Sequence, residues 1–194
     1  MTRTRTSRWF TILGVLALGL VLAGSAAVMA QDPPKQADPS KQKEIKYEEA
    51  ERLVKAHLDT FDELDYVVFT LQQWQRLHES HSKDVIVHWP DGHFTKGIEK
   101  HIEDLKGMFV YAPDTRIKVH TVKLGQGEWT AVIGVMEGTF TKPMPGGDGK
   151  TIAPTGKPYK INMCTVGHWK DGVMDEEYLF WDNLSFMQQI GLAK

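Results

Sequence analysis

Two turn signals constrain the C-terminal half of this chain more than any other feature. Gly125-Gln126-Gly127 and Asp171-Gly172 each separate two segments of strand length, and Asp-Gly is a strong hairpin marker. The segments are residues 116–124, 128–140, 159–169 and 173–181, rich in β-branched and aromatic side chains as strands are. Between the middle two, residues 141–158 read as a loop with several prolines and a Gly146-Gly147-Asp148-Gly149 cluster. That cluster lacks the spacing of a phosphate-binding loop.

The N-terminal half reads mostly as helix. Over residues 45–64, Tyr47, Ala50, Leu53, Val54, Leu58 and Phe61 form an apolar stripe of helical period. The pattern predicts a second helix from Asp65, as its N-cap, through Val68, Leu71, Trp74 and Leu77 to about His81. Residues 84–90, DVIVHWP, predict a strand with Val85, Val87 and Trp89 on one face and Ile86 and His88 on the other. Pro90-Asp91-Gly92 turns the chain into a short return strand at 93–95. Residues 97–109 form a third helix, in which His101 falls on the apolar stripe and reads as a core histidine. After 173–181 come Asp182 and a short helix closed by Gly191.

The order α-α-β-β-α-β-β-β-β, with a short terminal helix, specifies an α+β class. Twisted antiparallel strands wrapped over helices make a cone with one open mouth, where pockets form. On 128–140 one face carries Trp129, Ala131, Ile133 and Val135, and the other Val132, Met136 and Phe140. A sheet with one wet face alternates more cleanly. One face is therefore expected against the helices and the other against a second subunit, as a homodimer.

Residues 1–30 have the layout of a secretory signal: Arg3, Arg5 and Arg8, an apolar run over 10–22, and Val28-Met29-Ala30 as the cleavage site. Cleavage after Ala30 predicts a periplasmic or secreted protein without a stable membrane span; an uncleaved anchor is the alternative. Residues 31–44, with Pro33, Pro34 and Pro39, read as a disordered linker, so the domain is expected at 45–194. A formal charge of -2 gives no reason to expect nucleic acid as a partner. The single cysteine, Cys164, excludes an internal disulfide and reads as a buried, inert thiol.

Acids among bulky apolar residues need a reason, because an unpartnered buried carboxylate is costly. Asp182, beside Trp181 and Phe180, is a candidate general base whose pKa burial would raise; the competing reading is an exposed helix N-cap. Glu177 lies five residues earlier, so in a regular strand it faces the other way, with Leu179 and Trp181. Tyr178 shares the Asp182 face, which makes Tyr178 and Asp182 the more consistent pair, with His88 as a hydrogen-bonding helper. Glu137 is a lone acid in an apolar strand and a candidate pocket group; the alternative is a lysine-paired residue at the strand end. His78, His81, His88 and His93 fall within sixteen residues and offer imidazoles to a ligand or a metal. His78-Glu79-Ser80-His81 is one residue short of the H-E-x-x-H zinc signature, so no metal or cofactor is assigned. Trp89 and Trp181 are candidate walls for an apolar ligand.

The element order resembles the nuclear-transport-factor-2-like, or cystatin-like, cone. The segments Ala153-Pro154-Thr155-Gly156-Lys157, His168-Trp169-Lys170-Asp171-Gly172, Glu177, Asp182 and Gln189-Ile190-Gly191 are similar, in that order, to the SnoaL-like polyketide cyclase or ester cyclase branch. The likeness covers about residues 45–192. It implies an aspartate acting as general acid/base in an intramolecular aldol closure, a role that falls by position on Asp182. Characterised cyclases of this branch are cytoplasmic, whereas this chain reads as exported. The fold also carries isomerases, dehydratases, hydrolases and binders, so fold alone does not give a reaction. Three readings follow: cofactor-free acid/base catalysis on a small apolar, carbonyl-bearing molecule; a non-catalytic periplasmic ligand-binding or scaffold protein; and a metal site on the histidine cluster. A hollow plugged by tryptophan side chains would count against catalysis.

Overall fold

The computed structural model describes residues 38–146 and 149–194. The expected signal segment at 1–30, the part of the expected linker at 31–37, and Gly147-Asp148 of the glycine cluster lie outside the described residues. Helix α1 runs from Pro39 to Glu63, so residues 39–44, read from the sequence as linker, are helical. The physical cause is local. Asp38 caps the helix by accepting from the Ser40 amide at 2.9 Å, and Pro39 occupies the first turn, where its missing N–H costs nothing. The first turns of α1 are exposed, and burial begins at His57 and Phe61.

The predicted second helix does not form as a separate unit. Helix α1 instead widens into one π-helical turn over Leu64–Phe69, with the Thr70 amide bonded back to the Asp65 carbonyl. A 3₁₀ turn, Trp74–Glu79, then leads into the sheet. Asp65 is therefore not an N-cap. The wide turn buries it with Leu64, Val68 and Phe69.

Among the described residues eight strands follow, the six expected ones in their expected order and two short additional ones. They are β1 (His81–His88), β2 (Phe94–Lys96), β3 (Arg116–Gln126), β4 (Trp129–Thr139), β5 (Met144–Pro145), β6 (Thr151–Ile152), β7 (Pro158–Lys170) and β8 (Val173–Trp181). Helix α2 (Ile98–Tyr111) sits between β2 and β3, and α3 (Asn183–Gln189) ends the chain. The pair β5–β6 is a small hairpin inside the segment read as loop. The six remaining strands form one sheet in the order β2-β1-β8-β7-β4-β3. All its neighbours are antiparallel except β1 and β8, which run parallel with Val87 opposite Glu177 and His88 opposite Tyr178. This is the α+β cone expected from the sequence.

The inner face of the sheet packs on α1, the π turn and α2. Phe61, Val68, Leu77, Ile117, Met136, Phe140, Trp169 and Ile190 form the centre of the core. Trp169 also satisfies its one polar atom, donating Nε1–H to Thr130 Oγ1 at 2.8 Å. At the β7–β8 turn both Asp171 and Gly172 have positive φ, as a tight hairpin requires. The pairing skips Asp175, so β8 bulges there and its remaining residues alternate anew. Glu177 and Leu179 point inward, while Glu176, Tyr178 and Phe180 point outward. No helix among the described residues is long and apolar enough to cross a membrane.

Candidate active site

The inner face of β8 carries one acid, Glu177, and the fold buries it almost completely, at 4% exposure. Two buried imidazoles meet it. His81 enters from the start of β1, with Nε2 at 3.6 Å from Glu177 Oε2. His101 enters from the first turns of α2, with Nε2 at 3.3 Å from the same oxygen. Burial draws the His101 imidazole down to about 4, against the upward pull of Glu177. Burial pushes the Glu177 carboxyl up, but the neighbouring His101 and His81 imidazoles draw it further down, leaving it below the usual carboxylate range.

His81 is held from behind. Its Nδ1 lies 2.9 Å from Ser80 Oγ, and that hydroxyl donates to the Leu77 carbonyl at 3.1 Å. With the hydroxyl proton engaged there, Nδ1–H is the donor to Ser80, which fixes the ring with Nε2 facing Glu177. Both His81 Nε2 and Glu177 Oε2 are buried without a protein hydrogen-bond partner.

A second buried pair lies beside this trio. Asp65, on the π turn, accepts from His120 Nε2 at 2.7 Å, and the other ring nitrogen of His120 lies 2.8 Å from Asp62 Oδ1. Lys123 in turn donates to Asp62 at 2.6 Å. Burial raises the Asp65 carboxyl, opposed in part by His120. Burial lowers His120, but its hydrogen bonds and charge pairing with Asp65 and Asp62 prevail and raise it.

Asp65, His81, His101 and Glu177 all line one cavity of about 30 Å³, enough for a water or two. Its other walls are mostly apolar, including Leu105, Met163 and the indoles of Trp89 and Trp181. The two indoles meet edge to face at 6.3 Å and are tethered by Trp89 Nε1–H to Thr95 and Trp181 Nε1–H to Asn183. A wider groove, of about 570 Å³, separates α1 from the β3–β4 hairpin, but its charged groups, Glu51 and Lys55, are exposed.

The structure separates the residues that the sequence grouped. Asp182 is exposed and accepts from the Ser185 amide at 2.9 Å as the N-cap of α3, because the chain leaves the sheet at that residue. Tyr178 and His88 lie on the outer face of the sheet. Their rings stack at 4.2 Å, and both bond to Glu176 Oε1 at 2.8 Å. Glu137, also outward, pairs with Arg116 at 2.8 Å rather than with a lysine. His78 is exposed against the Gln75 carbonyl, and His93 is exposed and paired with Asp91. The four histidines between 78 and 93 thus do not converge; only His81 turns inward.

Three residues of the site were not singled out from the sequence. His101 was read as core, Asp65 as a cap, and His120 carried no functional reading. Asp65 did leave a signal: it falls four residues after Phe61 and four before Phe69, on the apolar stripe itself.

Residues 61–190 match the family described as SnoaL-like polyketide cyclase, and the chain belongs to that family. No curated protein matches the sequence. Among solved structures, the chain is similar to wild-type IdmH from Streptomyces antibioticus, with 22% identity and a TM-score of 0.59, over 70% of this chain and 98% of that one. It is similar to a SnoaL-like protein from Jannaschia sp. CCS1, at 18% identity and TM-score 0.63, over 72% and 94%. TsrD from Streptomyces laurentii matches at 14% identity and TM-score 0.59, over 73% and 96%. At these identities the neighbours establish the fold.

Proposed function

We propose that the chain is an exported, dimeric pocket protein that performs acid/base chemistry on a small carbonyl-bearing molecule inside the cone, with Asp65 as the base. One observation carries this reading: two buried acids, each held by buried histidine, line a single apolar cavity. Burial raises the Asp65 carboxyl above the ordinary carboxylate value, which strengthens it as a base, and His120 fixes its orientation. Asp65 takes the proton from the carbon next to the carbonyl. The negative charge moves to the carbonyl oxygen, which lies toward His81, His101 and Glu177. Either another carbon of the enolate then takes the proton back from Asp65, or the deprotonated carbon bonds to a second carbonyl carbon of the same molecule, whose oxygen receives the electron pair and that proton. The net result is an isomerisation or a ring closure, in keeping with a SnoaL-like cyclase family. Asp182, solvated and engaged with α3, is left as a structural residue.

Export follows from the layout of residues 1–30. Dimerisation is supported by the outer sheet face, which exposes Phe94, Val122, Leu124, Trp129 and Phe180. A second reading, a non-catalytic ligand binder, is favoured by the narrowness of the cavity between Trp89 and Trp181, which must part before an organic molecule enters.

The test is solvent-deuterium exchange at the carbon next to the carbonyl, followed by proton NMR over a panel of small ketones and β-keto esters. Wild type is expected to catalyse exchange with at least one of them, and Asp65→Asn to lose it while keeping affinity. Equal exchange by the two proteins, or none by either with binding retained, overturns catalysis and leaves the binder.

A further inference from the structure

We infer that His81, His101 and Glu177 form a binding site for a divalent transition-metal ion. The inference rests on the reading of the cavity as the working site and adds a cofactor to it. Three observations support it. The first is geometry. Ligand atoms of the three side chains all lie within 4.8 Å of one another, with the glutamate oxygen 3.3 Å from one imidazole nitrogen and 3.6 Å from the other. Two donors each about 2.1 Å from one ion and tetrahedrally disposed stand about 3.4 Å apart.

The second is the state of the donors. The Leu77–Ser80–His81 chain holds Nδ1 and fixes the ring, so His81 Nε2 faces a carboxylate oxygen, and neither atom has a protein hydrogen-bond partner. Two buried polar atoms left facing each other without a partner mark a place for a third group. An imidazole fixed in orientation by a hydrogen bond on its other nitrogen is also how metal-binding histidines are generally held.

The third is the shape of the surroundings. The trio faces the cavity, whose volume of about 30 Å³ leaves room for a metal-bound water. Two histidines, one carboxylate and an open position suit zinc in a catalytic site or ferrous iron. No lysine or arginine lines the cavity among its described walls. An oxyanion formed beside Glu177 would otherwise meet negative charge. A divalent ion reverses that sign, and it leaves Asp65 as the carboxylate free to move a proton.

The experiment uses the full chain, stripped with chelator and titrated separately with zinc, iron(II) and cobalt(II) chloride. Expected are one equivalent of bound metal by elemental analysis, a rise in Tm on adding zinc, and a visible cobalt spectrum of a low-coordinate nitrogen/oxygen site. His101→Gln and Glu177→Gln should each weaken binding at least tenfold, and His78→Gln with His93→Gln should leave it unchanged. Because the buried variants can misfold, the wild-type cobalt spectrum serves as an independent readout. Absence of stoichiometric metal and of any Tm shift overturns the inference, as does binding lost in the His78/His93 variant. The outcome separates from that of the acid/base reading. Exchange activity that survives chelation removes the metal and keeps Asp65, whereas metal binding without any exchange keeps the site and removes the reaction.

Discussion

His101 Nε2 stands 3.3 Å from Glu177 Oε2, and both side chains are withdrawn from solvent. Helix α2 and strand β8 supply one partner each, so the contact pins the helix to the sheet as well as lining the cavity. A buried pair of this kind is asymmetric: losing the acid and losing the bases are different events. In chelated protein, Glu177→Gln removes the buried charge while keeping the shape of the side chain, and is expected to cost less than about 3 kcal/mol. The double variant His81→Leu/His101→Phe leaves a carboxylate without a partner and should cost about 3 kcal/mol or more. Urea denaturation of both variants measures the difference, and equal losses would contradict it.

The His120 network predicts a pH dependence. His120 has a raised pKa in the folded state, because Asp65 and Asp62 outweigh the effect of burial. The folded state therefore holds this proton more tightly than the unfolded chain. The stability it contributes is complete below the ordinary histidine pKa of about 6.5 and is lost as pH rises through the higher folded value. Thermal melts across this range should show a decline that His120→Gln flattens, with the variant less stable at the acidic end. A wild-type profile parallel to that of the variant would show that the proton contributes nothing.

Asp182→Ala should lower stability by about 1 kcal/mol through loss of the α3 cap, and Asp182→Asn by much less, since asparagine also caps. Neither should alter ligand affinity or deuterium exchange. A variant that kept its stability but lost activity would return the aspartate to the chemistry.

Much of the architecture was legible because local signals and tertiary packing agree. Asp171-Gly172 marked a turn whose two positive φ angles the structure shows, and the period of two in 84–90 placed Val87 inward and His88 outward, as observed. The same rule set Glu177 with Leu179, away from Tyr178. The site was less legible. Its acids and bases come from the π turn, β1, α2, β3 and β8, and nothing in local spacing says that β1 lies beside β8. Asp65 was misread because aspartate favours helix starts; the continuing helix widened there instead of restarting. His101 shows only that it shares a face with Leu105, and its polar partner lies 76 positions further along the chain.

Trp181→Ala should open the cavity. The indole is half-buried and meets Trp89 edge-on, so its loss is expected to cost about 2 kcal/mol and to let bulkier apolar ligands enter. Fluorescence titration with an environment-sensitive naphthalene dye measures this. Unchanged dye affinity in a folded variant would place the entrance elsewhere.

The parallel pairing of β1 with β8 joins segments about ninety residues apart, and Val87 and Glu177 are direct neighbours across it. Closing so long a loop is entropically slow, and contacts of high sequence separation tend to form late. A nascent chain lacking its last twenty residues can build helices and hairpins but has no Glu177 to bring to His81. The His81–Glu177 contact is therefore assembled only once the end of the domain is made, and truncated chains should fold in part without acquiring it.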